Sequence, residues 1–107
     1  KIEDFGVGFY TKYGDGGVDI SPLADCTKTE VCELGKELNI LEEIIKAQPT
    51  DGLWDDGRTD VEQLGMTYKE LEEAMANPDS PNRSKYEEMR NLNLHKMKAI
   101  PVCKIPK

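Results

Sequence analysis

Cysteine and histidine are scarce in this chain, and long apolar runs are missing. Its 107 residues include one histidine and three cysteines, Cys26, Cys32 and Cys103, without a CxxC pair. This set does not form the pattern of a structural zinc site, so we expect reduced thiols in a cytoplasmic protein. No apolar run reaches the roughly 18 residues of a transmembrane helix, which excludes a membrane span of that kind.

Basic residues are outnumbered by acidic ones. Asp and Glu exceed Lys and Arg by 21 to 14, for a formal net charge of −7. Nucleic-acid binding needs a basic stripe that neutralises phosphates, and none is visible. A small anionic ligand remains compatible with this charge if a few lysines and backbone N–H groups converge locally. Hydrophobic residues make up 37% and charged residues 33%, a polar composition that predicts a part leaning on a partner surface.

Two threonine–glutamate pairs predict helix starts. Thr27-x-x-Glu30 and Thr67-x-x-Glu70 each fit a capping box, in which the hydroxyl and the carboxylate accept free N–H groups of the first turn. The apolar residues behind them share one face of each helix: Val31, Leu34 and Leu38 in the first, Leu71 and Met75 in the second. A further short helix is predicted from Leu41 to Lys46.

A last helix is predicted near the end of the chain. Ser80 and Pro81 suit its N-cap and first helical position. The helix then carries Tyr86, Met89 and Asn93 and ends near His95-Lys96. The tail from Ile100 contains prolines and is predicted to be extended.

The remaining segments predict turns and loops. Phe5 to Tyr10 fits either a strand or a helix end, and Gly14 to Gly17 predicts a tight turn. Val18 and Ile20 alternate as in a very short extended piece. Residues 49–65 show no sustained period and are predicted to form one long ordered loop.

None of these segments identifies a chemistry by itself. The glycine cluster is neither GxGxxG nor a Walker loop, so it favours a turn over a phosphate cradle. The loop after Asp51 has Leu53 and Asp56 where a calcium loop needs an acid or amide and a glycine. His95-Lys96 fits a ligand-binding pair, and it equally fits cations placed at helix carbonyls.

Several motifs in the same order nevertheless resemble one family. The matching segments are Gly8 to Leu23 with its Thr-Lys-Tyr-Gly-Asp-Gly-Gly sequence, Thr27 to Val31, Gln48 to Trp54, Arg58 to Asp60, Gln63 to Gly65, and His95-Lys96. Together they cover nearly the full chain. This combination resembles the NAD synthetase family of the ammonia-dependent type, whereas each motif alone is weak.

The resemblance implies a ligase that forms a carbon–nitrogen bond. In this family ATP adenylylates the nicotinate carboxylate of deamido-NAD, and ammonia, free or derived from glutamine, then attacks to release NAD and AMP. Adenylylation is needed because a carboxylate is a poor acyl donor at neutral pH. Magnesium neutralises the triphosphate. The implied fold is α/β, a Rossmann-like ATP-pyrophosphatase sandwich, normally a cytoplasmic homodimer.

The resemblance also implies roles for individual residues. The positions that match deamido-NAD contacts are Lys12, Asp19, His95 and Lys96. Lys28 and Thr50 match ATP contacts, and the helix start at Lys28 is expected to add its N–H groups to the same phosphates. For magnesium the local pattern favours Glu3, while a gapless count gives Asp4.

Two family features are absent. The Ser-Gly-Gly-x-Asp-Ser loop that binds ATP does not occur, nor do the strands of the parallel sheet. We therefore expect residues 1–107 to be the mainly helical C-terminal part of a single NAD synthetase domain, with at most short strands and inactive alone. Two alternatives remain: a non-catalytic helical interaction part, and a nucleotide-binding part without turnover.

Overall fold

A computed structural model describes residues 1–107, and every regular element in it is helical. In chain order the elements are α1 (Ile2–Val7), α2 (Lys28–Glu37), α3 (Glu42–Lys46), α4 (Asp60–Leu64), α5 (Tyr68–Ala76), α6 (Arg83–Leu92) and a 3₁₀ turn (Leu94–Met97). The prediction of a mainly helical part is confirmed, and Phe5 belongs to a helix end rather than a strand. No strand forms at Val18 and Ile20, which are both exposed.

Capping boxes set the starts of α2 and α5, as predicted. The Glu30 N–H donates to Thr27 Oγ1 at 3.1 Å, and the Thr27 N–H donates to the Glu30 carboxylate at 2.7 Å. Thr67 and Glu70 make the same reciprocal pair at α5. These contacts are local, so the residue spacing in the sequence can indicate them.

The predicted loop over residues 49–65 is wrong at its end. Thr59 and Glu62 form a third capping box there, and α4 follows it. The helix is short and closes on Gly65, whose φ of 67° is left-handed. The spacing of the box is visible in the sequence, but the short apolar pattern behind it hides the helix.

The predicted start of the last helix is also wrong, by two residues. Its N-cap is Asn82 and its first residue is Arg83. Ser80 is buried instead, and its hydroxyl accepts the Asn82 N–H at 3.3 Å. Ser80 therefore stabilises the turn that leads into α6.

The core lies between α1, α5 and α6, with α2 and α3 outside it. Its buried apolar residues are Val7, Leu64, Met66, Tyr68, Leu71, Ala74 and Tyr86. Only 12 of 107 residues are buried, and the radius of gyration of 16.2 Å exceeds the roughly 13 Å of a compact domain of this length. The elongated shape agrees with a part that leans on another surface. None of the helices combines the length and apolar character needed to cross a membrane.

Candidate functional site

The 3₁₀ turn near the end of the chain folds back onto the turn near its start. The Lys12 ammonium donates to the His95 carbonyl at 2.9 Å, across 83 positions of sequence, and also to the Lys98 carbonyl. Gly16 sits in the tight turn next to Lys12, where a Cβ would lie 2.8 Å from the Lys12 carbonyl oxygen. The predicted glycine turn is confirmed, and it places Lys12 against the terminal segment.

A second lysine, in the 3₁₀ turn, contacts the segment near the start of the chain. The Lys96 ammonium donates to the Gly8 carbonyl at 2.7 Å, and the Tyr10 hydroxyl donates to the Lys96 carbonyl at 3.1 Å. Gly8 ends α1 with a φ of 75°, and a Cβ there would overlap the Asn93 side chain. Only glycine permits this close approach of α1 to the end of α6.

These contacts line the largest cavity, about 740 Å³ in volume. Its walls are Ile2, Phe5, Gly6, Tyr10, Lys12, Tyr13, Gly16, Met75, Tyr86, Arg90, Lys96 and Met97. Aromatic and aliphatic walls with a few convergent cations are typical of a small-molecule site. Arg90, which is not among the residues predicted from the sequence, donates to the Gly6 carbonyl at 2.9 Å. Its position one turn after Tyr86, on the predicted apolar face of α6, is the signal that marks it.

A second cavity of about 460 Å³ shares Tyr10 and Lys96 with the first. Thr50 and Asp4 line it together with Lys1, Phe9, Thr11, Asp15, Asp51, Leu53, Trp54, Asp60 and Gln63. The Thr50 hydroxyl donates to the Arg58 carbonyl at 3.1 Å, which holds the loop in place. Because the two cavities share walls, ligands in them would lie side by side.

Asp60 lies beneath this second cavity and is buried. The Tyr68 hydroxyl donates to its carboxylate at 2.6 Å. Burial and then this hydrogen bond to Asp60 raise the pKa of Tyr68 well above its ordinary value. The phenol therefore stays protonated and keeps α4 and α5 connected.

A third cavity of about 430 Å³ is lined by several lysines, although the chain as a whole is acidic. Four lysines line it, Lys28, Lys36, Lys46 and Lys69, with Glu33 as the only acid. The Lys28 ammonium lies 6.0 Å from the centre of the Tyr68 ring. This is the local convergence of cations that an anionic ligand needs.

The N–H groups at the start of α2, for which the sequence predicts a contact with ATP phosphates, already have partners within the chain. The Lys28 N–H donates to Glu3 Oε1 at 2.6 Å, and the Thr29 N–H donates to Glu72 Oε1 at 3.0 Å. The Glu30 N–H donates to Thr27 Oγ1. Since the chain's own oxygens occupy these donors, the expected phosphate contact through them is wrong, and Lys28 would act through its ammonium alone.

The two candidate magnesium residues have different surroundings. Glu3 is 1% exposed and faces a small cavity shared with Glu72 but with none of the predicted ligand-binding residues. Asp4 lines the second cavity with Thr50 and pairs with the Lys1 ammonium at 2.9 Å. Nowhere do three metal-ligating side chains converge. Mg²⁺ commonly binds one or two carboxylates plus phosphates and water. Of the two candidates, Asp4 lines a cavity together with predicted ligand-binding residues, and Glu3 does not.

Two predicted residues contribute little to this geometry. Asp19 is exposed and lines none of these cavities. The His95 side chain is also exposed, and only its carbonyl joins the Lys12 contact. The chain thus brings Lys12 and Lys96 together, while Asp19 stays outside.

Comparisons with known proteins agree with one another. The NAD synthase family model matches residues 1–107. The NH(3)-dependent NAD(+) synthetase of Syntrophomonas wolfei is 45% identical over 102 residues, which cover 94% of this chain and 41% of the relative. The corresponding Thermoplasma acidophilum protein is 41% identical over 97 residues, covering 84% of this chain and 40% of the relative.

A solved structure shows the same fold. NMN synthetase from Francisella tularensis superposes with a TM-score of 0.85 at 31% identity, covering 98% of this chain and 44% of that one. The chain spans about 40% of the length of the curated relatives it matches. Over its full length it belongs to the NAD synthase family.

Proposed function

We propose that residues 1–107 are the C-terminal part of a single-domain, cytoplasmic NAD synthetase that amidates deamido-NAD. ATP adenylylates the nicotinate carboxylate, pyrophosphate leaves, and ammonia displaces AMP to form NAD. Because the chain spans about 40% of its relatives, this activity belongs to a longer protein, normally a homodimer, and not to the chain alone. The rest of that protein would supply the ATP loop and the parallel sheet of the Rossmann-like fold.

The observation that carries the proposal is the meeting of Lys12 with the 3₁₀ turn that holds Lys96. The largest cavity lies beside this contact, and Lys12, Lys96, Arg90 and several aromatic residues line it. Deamido-NAD carries a pyrophosphate, which cations neutralise, and flat rings, which pack on aromatic side chains. Volume, charge and apolar walls therefore all suit a dinucleotide.

ATP would occupy the neighbouring cavities. Lys28 lines the third cavity, called the lysine-lined cavity below. Thr50 lines the second cavity, which shares Lys96 with the largest cavity, called the dinucleotide cavity below. This arrangement favours a reaction at the shared wall, where the nicotinate carboxylate and the α-phosphate meet. Catalysis would depend on positioning and on cations near developing phosphate charge.

Asp4 would hold magnesium in the second cavity, with phosphate oxygens and water as the other ligands. The ion supplies neutralisation of the triphosphate charge. The residues of this chain hold the ligands in place: Lys28 contacts phosphate, and Thr50 steadies the loop through Arg58. We propose Asp4 and not Glu3 for this role because Glu3 is buried and does not line the second cavity.

A fusion tests the proposal at full length. Residues 1–107 replace the matching segment of the Syntrophomonas wolfei synthetase, and NAD and AMP are quantified with deamido-NAD, ATP and ammonium. We expect both products in equal amounts, and Lys12→Ala should reduce them while Lys104→Ala, in the exposed tail, should not. A folded fusion that forms neither product would refute the proposal.

A second substrate has support from the comparison with NMN synthetase. Amidation would then act on nicotinate mononucleotide, which lacks the adenylate half of deamido-NAD. The same fusion is assayed with both substrates, and the ratio of their kcat/KM values decides which of the two is the substrate.

If the chain binds deamido-NAD in calorimetry and the fusion forms no AMP, a nucleotide-binding part without turnover is the better description. Absence of both binding and turnover favours a helical interaction part.

A further inference from the structure

Two carboxylates from other helices accept hydrogen bonds from the N–H groups at the start of α2. Glu3 of α1 accepts the Lys28 N–H at 2.6 Å. Glu72 of α5 accepts both the Thr29 N–H at 3.0 Å and the Thr29 hydroxyl at 2.7 Å. These contacts span 25 and 43 positions of sequence, so they fix α2 relative to α1 and α5 rather than merely capping it.

The burial of Glu3 is costly. Its side chain is 1% exposed, and Oε2 is buried without a hydrogen-bond partner. Burial raises the pKa of Glu3, and the neighbouring Glu72 carboxylate raises it further, while the Lys28 N–H opposes both. Leaving a buried carboxylate oxygen unpaired beside a second carboxylate opposes folding, so stability alone does not explain a glutamate here.

Glu3 is connected to both proposed ligand cavities, to one through its own helix and to the other through Lys28. The same helix, α1, provides Phe5 and Gly6 to the dinucleotide cavity. The backbone that Glu3 holds belongs to Lys28, whose side chain lines the lysine-lined cavity. The bond from Lys28 to Glu3 is therefore the direct connection between the wall of one site and the phosphate-binding lysine of the other.

We propose that Glu3, assisted by Glu72, is a positioning residue that holds the backbone of Lys28 so that its ammonium is directed at the ATP phosphates. This inference rests on the proposed function, which assigns Lys28 to those phosphates. Glu3 contacts no ligand itself in this scheme. It acts through Lys28, and its carboxylate accepts a backbone hydrogen instead of a metal ion.

A double-mutant cycle in the fusion tests this role. The variants are Glu3→Ala, Lys28→Ala and the pair, and calorimetry measures Kd for ATP and for deamido-NAD. A charge-assisted hydrogen bond predicts that each single variant weakens ATP binding about tenfold, while the pair is no weaker than Lys28→Ala alone. Glu3→Gln retains an acceptor for the Lys28 N–H and should bind ATP within about threefold of the parent. Binding of deamido-NAD should stay unchanged in all of them.

Glu30→Ala is the matched control, because it removes a cap from the same helix without touching the ties to α1 and α5. We expect a lower Tm and unchanged ATP binding. If Glu3→Ala fails to fold, Glu72→Ala, at a more accessible residue, gives the same cycle through Thr29. These variants should reproduce the non-additive loss of ATP binding.

The outcomes separate this inference from the function it rests on. If Lys28→Ala leaves ATP binding intact, the assigned role of Lys28 is wrong and the proposed function fails at that point. If Lys28→Ala weakens binding but the effects of Glu3→Ala and Lys28→Ala add, Glu3 is only structural. Equal loss of affinity for ATP and deamido-NAD in Glu3→Ala would overturn the inference in the same way.

Discussion

The ammonium group of Lys12 lies 2.9 Å from the carbonyl oxygen of His95, 83 positions further along the chain. This contact joins the glycine turn to the 3₁₀ turn and closes the wall of the largest cavity. A positive charge is also left there, since the two carbonyls it bonds are neutral. Lys12 therefore stabilises the fold and keeps its positive charge at the wall of the cavity.

Replacement of this lysine should affect stability and binding together. Lys12→Ala removes its hydrogen bonds to carbonyls, and we expect a loss of about 1 kcal/mol in unfolding free energy. Loss of the cation should also weaken deamido-NAD binding by about tenfold. Urea denaturation and calorimetry measure the two effects. Lys104→Ala, in the exposed tail, is the control and should change neither quantity.

Gly8 should be intolerant of any side chain. Gly8→Ala must adopt a φ of 75° and also overlap Asn93, so we expect a loss of about 2–4 kcal/mol from strain and overpacking. Gly52→Ala is the matched control, because Gly52 has a φ of 67° with nothing within 4 Å and should lose only about 1–2 kcal/mol. Urea denaturation compares them, and equal losses would show that the approach to Asn93 is not tight.

The sparse core should depend heavily on α5. Leu71 is 0% exposed, so Leu71→Ala should lower the unfolding free energy by about 2–5 kcal/mol. Leu38 follows α2 and is 71% exposed, so Leu38→Ala should change it by no more than about 0.5 kcal/mol. Thermal and urea unfolding of both variants measure this contrast. A comparable loss at Leu38 would mean that α2 is covered in solution.

Acidification should weaken the start of α5. The Thr67 N–H and hydroxyl donate to the Glu70 carboxylate at 2.7 and 3.0 Å, and these bonds lower the pKa of Glu70 below its ordinary 4.5. Because the folded pKa is the lower one, this stabilisation is present above about pH 4.5 and is lost as the pH falls through the folded value. Tm should therefore fall more steeply below that pH in the parent than in Glu70→Gln, whose amide accepts at any pH. Parallel curves would contradict this.

The starts of α2 and α5 and the glycine turn can be predicted from sequence because their interactions are local. A threonine and a glutamate three residues apart can reach each other's N–H groups where the chain turns into a helix. The same rule covers Thr59 and Glu62, but too few apolar residues follow them to predict a helix from the sequence. The N-cap of α6 is Asn82 and not the predicted Ser80, which is buried in the preceding turn. Burial against the rest of the fold is not visible in the local sequence.

The sequence by itself determined where helices begin, where the chain turns, and which family its motifs resemble. Only the tertiary structure decided that Lys12 meets His95, that Glu3 is buried beneath Lys28, and that the N–H groups of α2 are already occupied. Local hydrogen bonds depend on residue spacing, which a sequence displays directly. The partner of a buried carboxylate or a distant lysine depends on how helices pack, and that is set by the apolar core between α1, α5 and α6.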